Sequence, residues 1–158
     1  MSTFALLAPV PLKHLRSAEL ACREFGTVAF ASRAWDVFGK LDELRGGSNG
    51  PAVDVFIYAS HDDSNEKLEV SWFGRYTKYH PAAGGRPPPS VVRPRSTLEE
   101  DAAPIDVKTA PAVFWELNQL TPVPIGKRHL VSKFLGYGSN KGFAKHFVPE
   151  HPMIVTHP

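Results

Sequence analysis

Residues 53–79 read VDVFIYASHDDSNEKLEVSWFGRYTKY and contain two strand-like runs on either side of a polar turn. This pattern predicts a β-hairpin. Because side chains alternate across a strand, one face of the hairpin is predicted to belong to the core. That face carries Val53, Val55, Ile57, Ala59, Leu68, Val70, Trp72 and Tyr76.

The opposite face of the predicted hairpin is unusually aromatic. It carries Phe56, Tyr58, Phe73 and Tyr79, whereas a solvated face is mostly polar. We therefore expect a cover over this face, either a helix of the same chain or a flat, partly apolar ligand. The connector 61–66 has no apolar residue and is predicted to be an exposed loop.

Before the hairpin, the chain is predicted to alternate strands and helices. The predicted elements are a strand at 4–10, an amphipathic helix at 12–25, a strand at 27–31 and a helix from the Ser32 N-cap to Leu44. Gly26 is the expected end of the first helix. Cys22 lies on the apolar side of that helix and is predicted to be buried.

After the hairpin, the pattern becomes irregular. The segment at about 81–111 is rich in Pro and Gly and is predicted to be a long loop. Residues 112–120 fit a strand, although a short helix fits almost as well. A helix is predicted to begin near Ser139 and to dock through Phe143 and Phe147, and a final strand is predicted at 153–155.

Length and composition predict one globular domain spanning 1–158. The chain has 158 residues, of which 42% are hydrophobic and 22% are charged, as in ordinary globular proteins. Its single cysteine excludes an intrachain disulfide and favours a cytoplasmic location. No apolar run reaches the roughly 18 residues of a membrane span, so no membrane partner is expected.

Charge is segregated along the chain. No acidic residue lies between Glu69 and Glu99, and none lies between Glu116 and Glu150. Each of these stretches contains five basic residues, and together they form a phosphate-binding patch if the fold brings them to one side. The alternative is an ordinary solvated face. The phosphate contacts predicted from these stretches are Arg75, Lys78, Lys141 and Lys145.

Common catalytic and cofactor motifs are absent from the sequence. There is no Walker A loop, no Gly-x-Gly-x-x-Gly, no Gly-x-Ser-x-Gly and no zinc-type cysteine pattern. The seven histidines are scattered, and no two of them lie four residues apart on a predicted helix. We therefore predict no metal and no cofactor, and the sequence leaves open whether the protein is an enzyme.

The order of predicted elements resembles the PUA-like superfamily, which includes the EVE, ASCH and YTH domains. The resemblance rests on TVAFASRAW at 27–35, VDVFIYAS at 53–60, LEVSWFGRYTKY at 68–79 and VFWELNQLTPV at 113–123. It implies an α+β fold, a small mixed β-barrel of about five or six strands with helices packed outside.

The resemblance also implies a function, because many PUA-like members bind RNA or modified bases in a pocket between barrel and helices. The implied ligand-binding residues are Ser32, Arg33 and Trp35, facing Tyr58, Trp72 and Phe73. The resulting hypothesis is a nucleic-acid-binding module that holds a flipped or unpaired base, possibly modified, by aromatic stacking.

The sequence leaves two other functions open. One is a small hydrolase acting on a modified nucleoside, with Asp36, Glu69 or His61 as candidate acid–base residues. The other is a protein-interaction domain that uses the Pro-rich loop.

Overall fold

A computed structural model describes residues 2–62, 68–139, 141–142 and 149–158. The strands are β1 Phe4–Pro11, β2 Val28–Ser32, β3 Val53–Ser60, β4 Trp72–Pro81, β5 Val113–Pro122 and β6 Met153–Thr156. The helices are α1 Leu12–Phe25, α2 Trp35–Leu44 and the short α3 Leu98–Ala102, and single 3₁₀ turns lie at Arg95–Thr97 and Val131–Lys133. Most bounds lie within a few residues of the predicted ones, and residues 113–122 form a strand rather than a helix. The predicted N-cap of α2 was wrong, because Ser32 ends β2 and Ala34 is the N-cap. The short α3 lies in the segment predicted to be a loop.

The six described strands form one mixed, curled sheet in the order β2-β5-β4-β3-β1-β6. β1 and β3 are parallel, and the other neighbouring strands are antiparallel. A parallel pair needs a crossover connection, which α1, β2 and α2 provide here. The prediction of an α+β fold built on a barrel-like sheet is confirmed at this level.

The predicted hairpin is formed by β3 and β4, which pair from Val53 with Tyr76 to Ile57 with Trp72. The predicted core residues of β3, together with Trp72 and Tyr76, lie in the cluster that α1 and α2 cover. Leu68 and Val70 instead belong to a second cluster, so the prediction of their face was wrong. β4 begins only at Trp72, and the positive φ of 50° at Leu68 breaks the strand alternation before it.

The chain itself covers the aromatic face of the hairpin. Phe56 lies 5.4 Å from the ring of Phe134, 5.6 Å from that of His129 and 5.5 Å from that of His157. Tyr58 is buried, and its hydroxyl donates a hydrogen bond to the carbonyl of Pro149. Burial raises the pKa of the Tyr58 hydroxyl well above its usual range. Sequence reasoning left a helix of the same chain or a flat ligand as the cover, and among the described residues the cover is irregular chain.

Tyr79 does not lie on the aromatic face where period-two alternation places it. The pairing of β4 with β5 shifts register between Tyr76 and Lys78, and such a bulge changes which side the following residues face. Tyr79 consequently packs 6.1 Å from Phe38 of α2, on the helix side of the sheet.

The 81–111 segment is ordered against the sheet. The Ala29 N–H of edge strand β2 donates to the Val92 carbonyl at 2.8 Å. Arg93 donates to the Ala29 carbonyl at 2.8 Å and forms an ion pair with Asp101 at 2.9 Å. The segment thereby covers a strand edge that would otherwise expose unpaired backbone groups.

The connector after α2 is anchored by Arg45, whose side chain is only 2% exposed. Its guanidinium donates to Asp42, to the Ser48 carbonyl and to the Thr77 carbonyl, each at 2.8 Å. A Cβ atom at Gly50 would lie 2.1 Å from the Arg45 carbonyl oxygen, so only glycine fits there. These bonds tie α2 to β4.

The helix expected near Ser139, with Phe143 and Phe147, lies largely outside the described residues. Within the described part of the chain, no helix has the length and apolar character needed to cross a membrane.

Candidate functional site

The structure separates the six residues of the predicted base pocket. Ser32 ends β2, Trp35 begins α2, and Arg33 lies between them. The Ser32 hydroxyl accepts a hydrogen bond from the Ala34 N–H at 3.0 Å. The Trp35 side chain is 65% exposed. The sheet order places β3 three strands away from β2.

The remaining predicted pocket residues lie on both faces of the sheet. Trp72 belongs to the core cluster under the helices, on the same side of the sheet as its pairing partner Ile57. Tyr58 and Phe73 belong to the cluster on the other face. The sheet therefore stands between Trp72 and the two other aromatic residues, and the six side chains do not line one pocket.

Much of the predicted basic patch is paired within the molecule. Arg75 forms an ion pair with Asp54 at 3.3 Å, and Lys78 lies 3.7 Å from Glu116. Lys141 is exposed beside the turn that precedes it, and Lys145 lies outside the described residues. The basic stretches are thus partly neutralised by carboxylates that the sequence places far away.

Three adjoining cavities surround the turn from β1 into α1, and we call them together the β1–α1 groove. The outer cavity, of about 560 Å³, is lined by Pro9, Pro11, Tyr58, Ser60, His61, Asp62, Pro149 and Glu150 among others. The middle cavity, of about 540 Å³, is lined by Pro11, Leu12, Lys13, His14, His61 and Glu100. The inner recess, of about 230 Å³, is lined by Pro9, Val10, Pro11, His14, Phe30, Ala31, Arg93, Thr97 and Glu100. Pro11 lines all three cavities.

The fold explains why a groove forms at this place. β1 and β3 are parallel and pair as far as Pro11 with Ser60, so their carboxyl ends meet at one edge of the sheet. Ligands of open α/β sheets commonly bind outside the carboxyl ends of the strands. His61 follows β3 directly, with a positive φ of 52°, and its side chain lines both the outer and the middle cavity.

The amino end of α1 faces the middle cavity. Its N-cap is Pro11, no side chain caps its first turn, and that turn carries no acidic residue. The first N–H groups of a helix have no partner within the helix and favour an anion. Lys13 adds a cation whose side chain is 68% exposed. This end of the groove is therefore suited to a phosphate or carboxylate.

His14 is the central polar residue of the groove. Its Nδ1 lies 2.7 Å from the Ser96 hydroxyl, and its Nε2 lies 3.6 Å from a Glu100 oxygen. Burial lowers the pKa of His14 below its ordinary value, against the opposing effect of Glu100. At neutral pH the imidazole is uncharged and is held in place by residues 82 or more positions away in the chain.

Comparison of the chain with protein-family models, with curated proteins and with solved structures finds no match. The resemblance to the PUA-like superfamily therefore stays a prediction. In the described ranges, no group of three or more His, Cys, Asp or Glu side chains is placed to hold a metal ion.

Among the residues that line the groove, the sequence pointed only to His61 and Tyr58 as candidate functional residues. It missed Pro9, Pro11 and His14. These residues belong to PVPLKH at 9–14, which joins the end of a predicted strand to the start of a predicted helix. That signal was available, because a strand that leads directly into a helix places helix N–H groups at a sheet edge. Glu100 had no such signal, since only the folded 81–111 segment brings it to His14.

Proposed function

We propose that this protein is a nucleic-acid-binding module that holds one unpaired base in the β1–α1 groove. The observation that carries the proposal is the junction of a small recess with the uncapped amino end of α1, beside Lys13. A base in the recess and its phosphate at the helix end would use both features at once. The proposal keeps the function inferred from the sequence and moves its site.

The shape and surface of the recess support this proposal. Its volume of about 230 Å³ is below the roughly 300–1,000 Å³ of pockets for drug-sized ligands, so one planar ring system fits better than a larger molecule. Phe30, Pro9 and Pro11 provide flat apolar surfaces, and His14 and Glu100 provide polar groups. A planar heterocycle with a polar edge matches this combination.

The test is binding of fluorescent single-stranded oligonucleotides and of free mononucleotides, measured by anisotropy and calorimetry. We expect Lys13→Ala and His61→Ala to weaken binding about ten-fold, as the loss of one charge-assisted contact typically does. Lys40→Ala is the matched control, because Lys40 is an exposed lysine of α2 that does not line the groove. Absence of binding by the parent protein, or equal weakening by Lys40→Ala, contradicts the proposal.

A second candidate function is hydrolysis, which the contact between His14 and Ser96 favours. The Ser96 oxygen would form a bond to an acyl carbon while its proton passes to His14 and then to the leaving alcohol. Water would then release the acid and restore Ser96. The Ser96 N–H already donates to the Ser17 hydroxyl at 3.1 Å and does not serve as an oxyanion donor, so binding ranks first.

The hydrolytic candidate is tested with p-nitrophenyl acetate as the probe. Ser96→Ala is expected to abolish turnover, whereas Ser90→Ala, at another exposed serine of the same segment, is expected to retain it. If both variants and the parent release nitrophenol at the rate of buffer, the hydrolytic candidate is rejected.

A further inference from the structure

The inner recess offers few hydrogen-bond donors from its backbone. Pro9 and Pro11 both line it, and proline has a carbonyl but no N–H. Two of the three residues from 9 to 11 therefore have no backbone N–H to offer a ligand.

The side-chain donors of Arg93 and Thr97 are largely used within the protein. The Arg93 guanidinium donates to both Asp101 carboxylate oxygens at 2.9 Å and to the Ala29 carbonyl at 2.8 Å. The Thr97 hydroxyl donates to the Pro94 carbonyl at 2.8 Å or to Asp101 at 3.1 Å. Thr97 therefore has no further donor, and Arg93 keeps two of its five N–H groups.

Acceptor capacity remains at Glu100. One of its oxygens lies 3.5 Å from the Lys13 ammonium and 3.6 Å from His14 Nε2. Both distances exceed those of a normal hydrogen bond, about 2.7–3.2 Å. An ionised carboxylate has about four acceptor positions and accepts well from two parallel donors, so Glu100 keeps the capacity to bind a pair of N–H groups.

The charges around the recess favour a neutral ligand over a cation. Lys13 and Arg93 balance Glu100 and Asp101 in formal charge. A guanidinium or ammonium group would therefore find no excess negative charge. A neutral ring with two adjacent N–H donors suits the recess better.

From this balance of donors and acceptors we infer that the recess selects a guanine-type base, whose ring N–H and exocyclic amine donate to the Glu100 carboxylate. Adenine and uracil do not present two adjacent donors on that edge. The inference rests on the proposed function and adds the identity of the base. Flipped bases are commonly identified through this same edge.

The experiment measures binding of GMP, IMP, AMP and UMP to the parent protein by calorimetry at one salt concentration. GMP is expected to bind about ten-fold to a hundred-fold tighter than AMP, the usual range for hydrogen bonds to a charged group. IMP lacks the exocyclic amine and is expected to lie between them. Glu100→Gln is expected to remove the preference for GMP, so that GMP and AMP bind with similar affinity.

Glu99→Gln is the matched control, because Glu99 is the preceding residue of α3 and does not line the recess. It is expected to keep the GMP preference. Equal binding of all four nucleotides overturns this inference and leaves the proposed function standing, whereas no binding of any nucleotide or oligonucleotide overturns both. Tighter binding of an arginine-containing peptide than of GMP overturns the inference in favour of a protein ligand.

Discussion

At the scale of single residues, two histidines have pKa values displaced in opposite directions. The hydrogen bond from His157 to Asp54, 2.8 Å long, raises the pKa of His157. Burial lowers the pKa of His14. The difference has a simple cause, because His157 meets a carboxylate at the surface whereas His14 loses its water and faces Lys13 as well as Glu100.

The raised pKa of His157 predicts a pH-dependent stability. A group whose pKa is higher in the folded state stabilises the fold below its unfolded pKa, here 6.5, and this contribution is lost as pH rises through the folded value. Arg75 is the other basic group paired with Asp54. We expect His157→Gln to destabilise the protein by about 0.2–1 kcal/mol at pH 5 and by less at pH 8.

Urea unfolding of parent and variant between pH 5 and pH 8 measures this difference. His151→Gln serves as the control, because His151 is an exposed histidine near the same end of the chain. A destabilisation by His157→Gln that does not change with pH would show that the ring contributes by packing on Phe56 and not by charge.

The tryptophans Trp35 and Trp72 differ sharply in burial, which predicts different effects of their removal. Trp72 is 8% exposed and Trp35 is 65% exposed. Trp72→Ala is expected to cost about 3–5 kcal/mol of unfolding free energy. Trp35→Ala is expected to change it by no more than about 0.5 kcal/mol. Thermal and urea unfolding measure both changes in stability. A large loss of stability in Trp35→Ala would contradict the exposed position of Trp35.

At the scale of elements, the 81–111 segment is joined to the sheet mainly through Arg93. Its side chain is 9% exposed and lies 4.9 Å above the Phe114 ring. The segment then continues through the 3₁₀ turn and α3, which carries Glu100 into the groove. The position of Glu100 therefore depends on an ion pair several residues earlier in the chain.

We predict that Arg93→Ala costs about 3 kcal/mol of stability, the lower end of the range for breaking a buried ion pair. Because the segment then loses its anchor, amide exchange of the Ala29 N–H is expected to become faster. Exchange detected by mass spectrometry or NMR measures this effect. The exposed neighbour Arg95 provides the control, and a loss in Arg95→Ala as large as in Arg93→Ala would contradict the anchoring role.

At the scale of the whole molecule, ion pairs reduce the basic surface that the sequence suggests. Arg75, Lys78 and Arg93 each pair with a carboxylate. Arg86 and Arg128 donate to backbone carbonyls. In the described part of the two basic stretches, the exposed lysines without an ion pair are Lys127, Lys133 and Lys141. Binding to a nucleic acid would thus depend on few phosphate contacts.

The salt dependence of binding tests this count. The logarithm of the affinity for a single strand falls with slope about 0.7 per phosphate contact. We therefore expect a slope no steeper than about 3 in a log–log plot and a slope lower by about 0.7 for Lys141→Ala, with base preference unchanged. A much steeper slope would require phosphate contacts beyond these lysines.

The sequence by itself determined most of the elements of this protein, although α3 lies in the segment predicted to be a loop. Hydrophobic period, Gly26 and the polar turns were sufficient to place α1 at 12–25 and the strands within a few residues of their observed bounds, because local patterns set local structure. The same patterns predicted the buried state of Trp72 and Cys22. They failed at Val70 and Tyr79, where an interrupted strand and a bulge change the side that a residue faces.

Only the tertiary structure decided which polar groups meet. His14 contacts Ser96 across 82 residues of sequence, and Arg45 reaches the carbonyl of Thr77 across 32. Periodicity carries no information about such pairs. They depend on how the sheet curls and on where the 31-residue segment 81–111 packs. The β1–α1 groove exists for the same reason, since its walls come from β1, β3, α1 and that segment.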